Sequence, residues 1–244
     1  MNYRSLLLSA FLLTALLPRT GAAQTSPERR RRFYNSQARP YHRGPVRLTA
    51  GLGAGFYNGD LTSSLSNNFP GVSGSLGVLY QLWPHLLIGS EIAAFQIGAK
   101  DDIPERNLAF RARNGSGEVF FRYEPFHDEA EYADPRGPGA IVKPYLKAGV
   151  GLLLYNPKSY NGTTRPETYT TFLGPERNDY PAMAIVAPVG LGVTVRLTRS
   201  LNATAEAAYY FTTTDHLDDV SQRANSAAND GYARAELKLE YALW

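Results

Sequence analysis

ARAELKLEYALW, residues 233–244, alternates without interruption. Ala233, Ala235, Leu237, Leu239, Tyr241 and Leu243 fall on one face of an extended chain, and Arg234, Glu236, Lys238 and Glu240 on the other. Successive side chains of a strand point to opposite sides, so this segment is a strand with one apolar and one charged face. It closes on the aromatic Trp244, an ending common in barrels of bacterial outer membranes.

The same period recurs upstream. It runs through 201–211, 185–197, 145–155 and 46–57, where Val46, Leu48, Ala50, Leu52, Ala54 and Phe56 oppose Arg47, Thr49, Gly51, Gly53, Gly55 and Tyr57. Segments 71–82, 86–97 and 115–124 fit less cleanly, which makes eight predicted strands. Each is longer than the roughly 5–6 residues usual in soluble sheets. Each matches the roughly 9–11 residues of a tilted strand that crosses a bilayer. Aromatics such as Tyr209, Phe211 and Tyr241 stand near the rims of the apolar face, as an interfacial girdle requires. The predicted fold is all-β, an eight-stranded antiparallel up-and-down transmembrane barrel over 46–244. Closure satisfies every backbone hydrogen bond without an edge, which lipid demands.

On this fold the other face turns inward and collects Arg47, Glu91, Glu118, Arg122, Lys147, Arg196, Glu206, Arg234, Glu236, Lys238 and Glu240. An eight-stranded barrel is only wide enough to be filled by its own side chains. Charges of both signs in so narrow a space are expected to pair and plug the lumen rather than relay protons. Inward glycines make room for the long partners. The turns around Pro84 and Ser200 are short and predicted on the periplasmic side; 58–70, 98–114, 156–181 and 212–231 are long, polar and predicted outside. The segment 125–142 is an exception, a long connection on the periplasmic side and a candidate contact loop.

The N-terminus sets the compartment. A basic MNYR, the apolar SLLLSAFLLTALLP and a small-residue stretch ending at Ala23 are the three parts of a secretory signal peptide, residues 1–23. Residues 24–45 carry Arg29, Arg30, Arg31, Arg32, Arg39 and Arg43 against Glu28, so the basicity of the chain, net +3, sits in this tail and the body is mildly acidic. With little aliphatic content the tail is expected to be a flexible periplasmic leader, its four consecutive arginines a candidate contact for headgroups or a partner. Export leaves nucleic acid an improbable partner.

The chemistry the chain could carry is restricted. There is no cysteine, which removes disulfides, thiol catalysis and zinc–thiolate sites together. Lipid A-deacylating barrels place a histidine and a serine two apart on one strand face, but His42, His85, His127 and His216 are followed by Gly44, Leu87, Glu129 and Asp218. No cofactor, metal or small-molecule substrate is implied. TTTDHLDDVS, 212–221, gathers Asp215, Asp218 and Asp219 around His216 but lacks the Asp-x-Asp-x-Asp-Gly pattern of a calcium loop. Its aspartates are expected to cap a turn, with a cation site as the alternative.

Several phrases carry a family resemblance. GLGAGFYNGDLT (51–62), RNLAF (106–110), KPYLKAGVGLLLYNPK (143–158), APVGLGV (187–193) and TTDHLDDVS (213–221) occur in the order found in a family of outer-membrane barrels of Bacteroidota. The chain resembles that family, which includes PorG-like accessory components of type IX secretion and gliding. The resemblance implies a non-enzymatic barrel of the cell outer membrane, bathed in its lipid, that contacts periplasmic secretion-ring proteins. His216 stands where the family usually has tyrosine, and the arginine-rich leader and the 125–142 loop depart from it. A small barrel for envelope integrity or surface adhesion is the alternative, and a lipid-modifying enzyme a more distant one.

Overall fold

The computed structural model describes residues 33–59, 61–126, 128, 131–132, 139–167, 169–220 and 229–243. The signal-peptide segment, Arg29 to Arg32 and most of the 127–138 stretch lie outside the described residues.

The strands are β1 (Val46–Asn58), β2 (Gly71–Trp83), β3 (Leu86–Lys100), β4 (Leu108–Tyr123), β5 (Val142–Tyr155), β6 (Pro157–Asn161), β7 (Ala182–Arg196), β8 (Leu201–Thr212) and β9 (Gly231–Leu243). β6 continues β5 beyond Asn156: β5 pairs with Gly115–Tyr123 of β4, and β6 with Leu108–Ala112 of the same strand. The barrel therefore has eight staves, one of them broken. Each pairs antiparallel with its neighbours, β3 joins β4, and β1 joins β9 along Val46–Asn58. The ring is closed. Among the described residues no helix is long and apolar enough to cross a membrane.

Polarity is inverted relative to a soluble protein. Leu52 and Leu237 are more than 70% exposed, and Leu76, Ile92, Val150, Leu191 and Leu239 also stand on the outer surface, while Glu91, Arg122, Lys147, Arg234 and Glu240 are buried.

Strand boundaries differ from the sequence reading, most of all at β3 and β4. β3 runs to Lys100, and β4 begins at Leu108 rather than 115, so the connection placed at 98–114 shrinks to 101–107. In 108–113 the apolar residues Leu108, Phe110 and Ala112 point inward and Arg111 and Arg113 outward, the reverse of the pattern lower in the strand. A template of apolar-out alternation therefore passes over this piece. The inversion has a structural cause: the loop-side half of the lumen is an ordinary apolar core. Phe95, Ile97, Phe110, Leu153, Tyr155, Val186 and Tyr232 line it, and Leu61, Leu217 and Val220 from the loops fill it. The ion pairs of the interior lie in its middle and turn-side half.

Candidate functional site

The charged half of the lumen is built from alternate residues of β3, β4, β5, β8 and β9, with Arg47 from β1. Nearest the turns, Arg122 Nη1 meets Glu240 Oε1 at 2.6 Å and its Nη2 meets Glu124 at 2.8 Å. Thr194 accepts from Arg122 at 2.7 Å, Thr204 donates to Glu240 at 2.7 Å, and Arg47 approaches Glu240 at 3.6 Å. One level up, Lys147 Nζ lies 2.7 Å from Glu118 and 3.0 Å from Glu206. Lys238 Nζ lies 2.8 Å from Glu206 and 2.5 Å from Glu91. Arg234 reaches Glu91 at 3.0 Å and Glu236 at 3.3 Å, and Ser75 donates to Glu236 at 2.8 Å.

Aromatic rings separate the layers. The Arg122 guanidinium stacks 3.8 Å over the Tyr145 ring, Lys147 stands 4.1 Å over Phe120, and Arg234 donates to the Tyr210 hydroxyl. Gly192 is required opposite Tyr145, because a Cβ there would meet the phenol oxygen at 2.5 Å. Gly51 likewise leaves space for Lys238, whose Cγ would lie 2.8 Å from a Cβ. Ion pairs this deeply buried need further hydrogen bonds on their remaining donors and acceptors, and Thr194, Thr204, Ser75 and Tyr210 supply part of them.

Arg196 is a correction. It faces inward but stands at the turn-side end of β7, half-buried, where its Nε donates to the Thr198 carbonyl at 3.4 Å. Among the described residues it forms no ion pair with the lumen carboxylates. Lys143, Glu124, Asp128 and Glu131 build a mouth cluster that the alternation did not single out. Lys143 Nζ lies 2.8 Å from Asp128, 2.9 Å from Glu131 and 3.6 Å from Glu124. Despite burial, the Arg122 and Lys143 cations hold the Glu124 carboxyl below the usual range; burial keeps that of Glu131 above it. The described part of the leader lies on this mouth. Tyr41 packs its ring 5.8 Å from Tyr132, the His42 amide donates to the Glu131 carbonyl at 2.8 Å, and Arg43 donates to the Tyr80 hydroxyl at 3.3 Å.

The acidic loop resolves into separate contacts. Asp218 and Asp219 are buried and Asp215 is half-buried. Asp218 Oδ1 accepts from the Val220 amide at 2.9 Å, closing a turn, and its Oδ2 lies 2.7 Å from the Tyr57 hydroxyl. The same hydroxyl is 2.7 Å from Asp230 Oδ1. Asp219, at φ 62°, accepts from Ser159 at 3.2 Å and from the Glu176 amide at 2.9 Å. Asp218 thus ties the last loop to β1, and Asp219 ties it to the broken stave and the connection beyond. Among the described residues no three His, Asp or Glu side chains are grouped to hold a metal ion.

Fold and interior define a closed eight-stranded barrel with an apolar outside and a self-filled lumen. No family model matches the chain, and no curated protein sequence matches it. Among solved structures it is similar to neisserial surface protein A, at 13% identity over 83% of this chain and 99% of that one, with a TM-score of 0.45. It is similar to Ail, the attachment invasion locus protein of Yersinia pestis, at 11% identity over 83% and 100%, TM-score 0.45. It is also similar to the outer membrane enzyme PagL, at 14% identity over 81% and 99%, TM-score 0.35. Identities this low do not say what the chain does.

Proposed function

We propose that the protein is a non-enzymatic barrel of the outer membrane, exported by its signal peptide, that acts as a structural or assembly component through its surfaces. The observation that carries this reading is the interior. Ion pairs occupy one half of the lumen and apolar side chains the other, so the space where a pore or substrate cavity would lie is taken up by the chain's own residues. The outer face, rich in exposed Leu, Ile and Val, suits lipid.

The more specific reading is an accessory part of type IX secretion that touches periplasmic ring proteins. It is supported by the ordered phrases from GLGAGFYNGDLT to TTDHLDDVS. The contact would be made from the turn side by Arg29 to Arg32 and the 125–142 loop. Capture of ring proteins with the tagged barrel from detergent-extracted membranes supports this reading. Intact secretion in a deletion strain, with no ring protein captured, overturns it in favour of an envelope-integrity or adhesion barrel. The membrane reading itself is checked by fractionation and by the shift in gel mobility on boiling; a soluble periplasmic protein would refute it.

A further inference from the structure

The outward strand positions carry four charged side chains among the described residues: Lys100, Arg111, Arg113 and Lys158. All four are cationic, and all lie at the loop-side ends of three adjoining strands, β3, β4 and β6. Every other outward strand position is uncharged. Such a cluster is not self-compensating. Arg111 and Lys158 are directly paired across β4 and β6, and like charges so placed repel. None of the four has a carboxylate within 4.0 Å among the described residues, whereas Arg122, Lys147, Arg234 and Lys238 in the lumen are each matched. Arg111 and Lys158 instead flank the Phe172 ring at 5.8 and 5.6 Å. Arg165, anchored to the Pro70 carbonyl at 3.0 Å, lines a cavity of about 180 Å³ with Arg111 and Gln96.

Immediately below, on the same outer face, the side chains shrink. Gly74 on β2 pairs with Ala94 on β3, which pairs with Gly115 on β4; Ile92 pairs with Gly117. A Cβ on Gly117 would meet nothing within 4 Å. These residues adjoin a furrow of about 810 Å³ lined by Ala50, Leu52, Gly74, Leu76, Ile92 and Leu237. Gly115 is two residues from Arg113, which is about 7 Å along a strand.

We propose that this face binds a phosphate-bearing lipid of the leaflet on the loop side, with Arg111, Arg113 and Lys158 on its phosphate and an acyl chain along the small-residue furrow. Two arguments select this occupant. Arg and Lys on a lipid-facing surface are tolerated only near the headgroups, where phosphates are the abundant anions. A depression that continues from the cations toward the bilayer centre receives a chain attached to the same headgroup. The site rests on the reading that the barrel lies in a bilayer.

The test uses purified full-length protein in phosphatidylcholine vesicles doped with lipid A or with dephosphorylated lipid A, with flotation for insertion and native mass spectrometry for bound lipid. The expected result is preferential retention of the phosphorylated form. Retention should fall about fivefold for each cation removed in Arg111→Gln, Arg113→Gln and Lys158→Gln. Gly74→Val, which narrows the furrow it lines and leaves the cations intact, should also lower it. Equal retention of both lipids, or undiminished retention by the triple variant in floating vesicles, overturns the site alone. Failure of the wild type to float with either vesicle overturns the membrane reading and the site with it.

Discussion

Arg122 on β4 and Glu240 on β9 meet at 2.6 Å across the lumen although 118 residues separate them in the chain. Removing one partner strands the other as a buried charge, at a cost of about 3–5 kcal/mol. Glu240→Ala should lower the urea midpoint for refolding into detergent or vesicles by a corresponding amount. The double variant Arg122→Met/Glu240→Leu should be less destabilised than either single change, because no unmatched charge remains at that pair. Additive losses would show that the two residues act independently.

Tyr57 couples the outermost loop to the barrel. Its hydroxyl serves both Asp218 and Asp230, and all three side chains are buried. In Tyr57→Phe the pair of carboxylates loses the one proton that the phenol can donate, at about 1–3 kcal/mol for a buried hydrogen bond. Amide exchange in 214–220 should accelerate while the turn-side strands keep their protection. Unchanged exchange in that loop would refute the coupling.

Asp102 gives the loop side an acid sensitivity. The Thr62 hydroxyl, donating at 2.6 Å, and the Asn67 amide hold its carboxyl below the ordinary value of 3.8. A carboxyl depressed in the folded state contributes stability above its unfolded pKa and loses it as pH falls through the lower folded value. Protection of the Asp102 amide, bonded to the Leu61 carbonyl at 3.0 Å, should therefore hold at neutral pH and decay only below about pH 4. Asp102→Asn should remove the acid-dependent component; an identical pH profile in that variant would assign it to another group.

The mouth contact of the leader is open to protease. Tyr41→Ala deletes the ring that packs between Phe33 and Tyr132. An aromatic pair contributes about 1 kcal/mol, so cleavage by trypsin after Arg43 should rise roughly fivefold, the Arg39–Pro40 bond being resistant. Equal rates would mean that the ring does not hold the segment down.

Much of the architecture was legible because a strand's parity is local. The order apolar, charged, apolar, charged in 233–241 assigns Arg234, Glu236, Lys238 and Glu240 to one face before any partner is known. The partners were not legible. That Lys147 meets Glu118 and Glu206 depends on which strands adjoin and with what stagger, and no window of sequence contains that. The start of β4 escaped because alternation reports which face is apolar, and at Leu108–Arg113 the two faces exchange roles. Lys143 and Glu124 sit at strand ends, where periodicity fades, so their mouth cluster with Asp128 and Glu131 emerged only from the closed ring. In TTTDHLDDVS the residue types suggested ligands or caps, whereas the buried partner of Asp218 is Tyr57, 161 residues away.

The loop-side apolar core limits how freely the outer loops can drift in evolution. Leu61, Leu217 and Val220 belong to connections, yet they are stoppers that keep water from the ring of Phe95, Phe110 and Tyr232. An insertion or a polar replacement next to any of them would uncork a greasy cup at the loop-side end of the barrel and invite aggregation there. Diversification of these loops is therefore channelled into the stretches between the anchors, and the anchors themselves should change only for residues of similar bulk and greasiness.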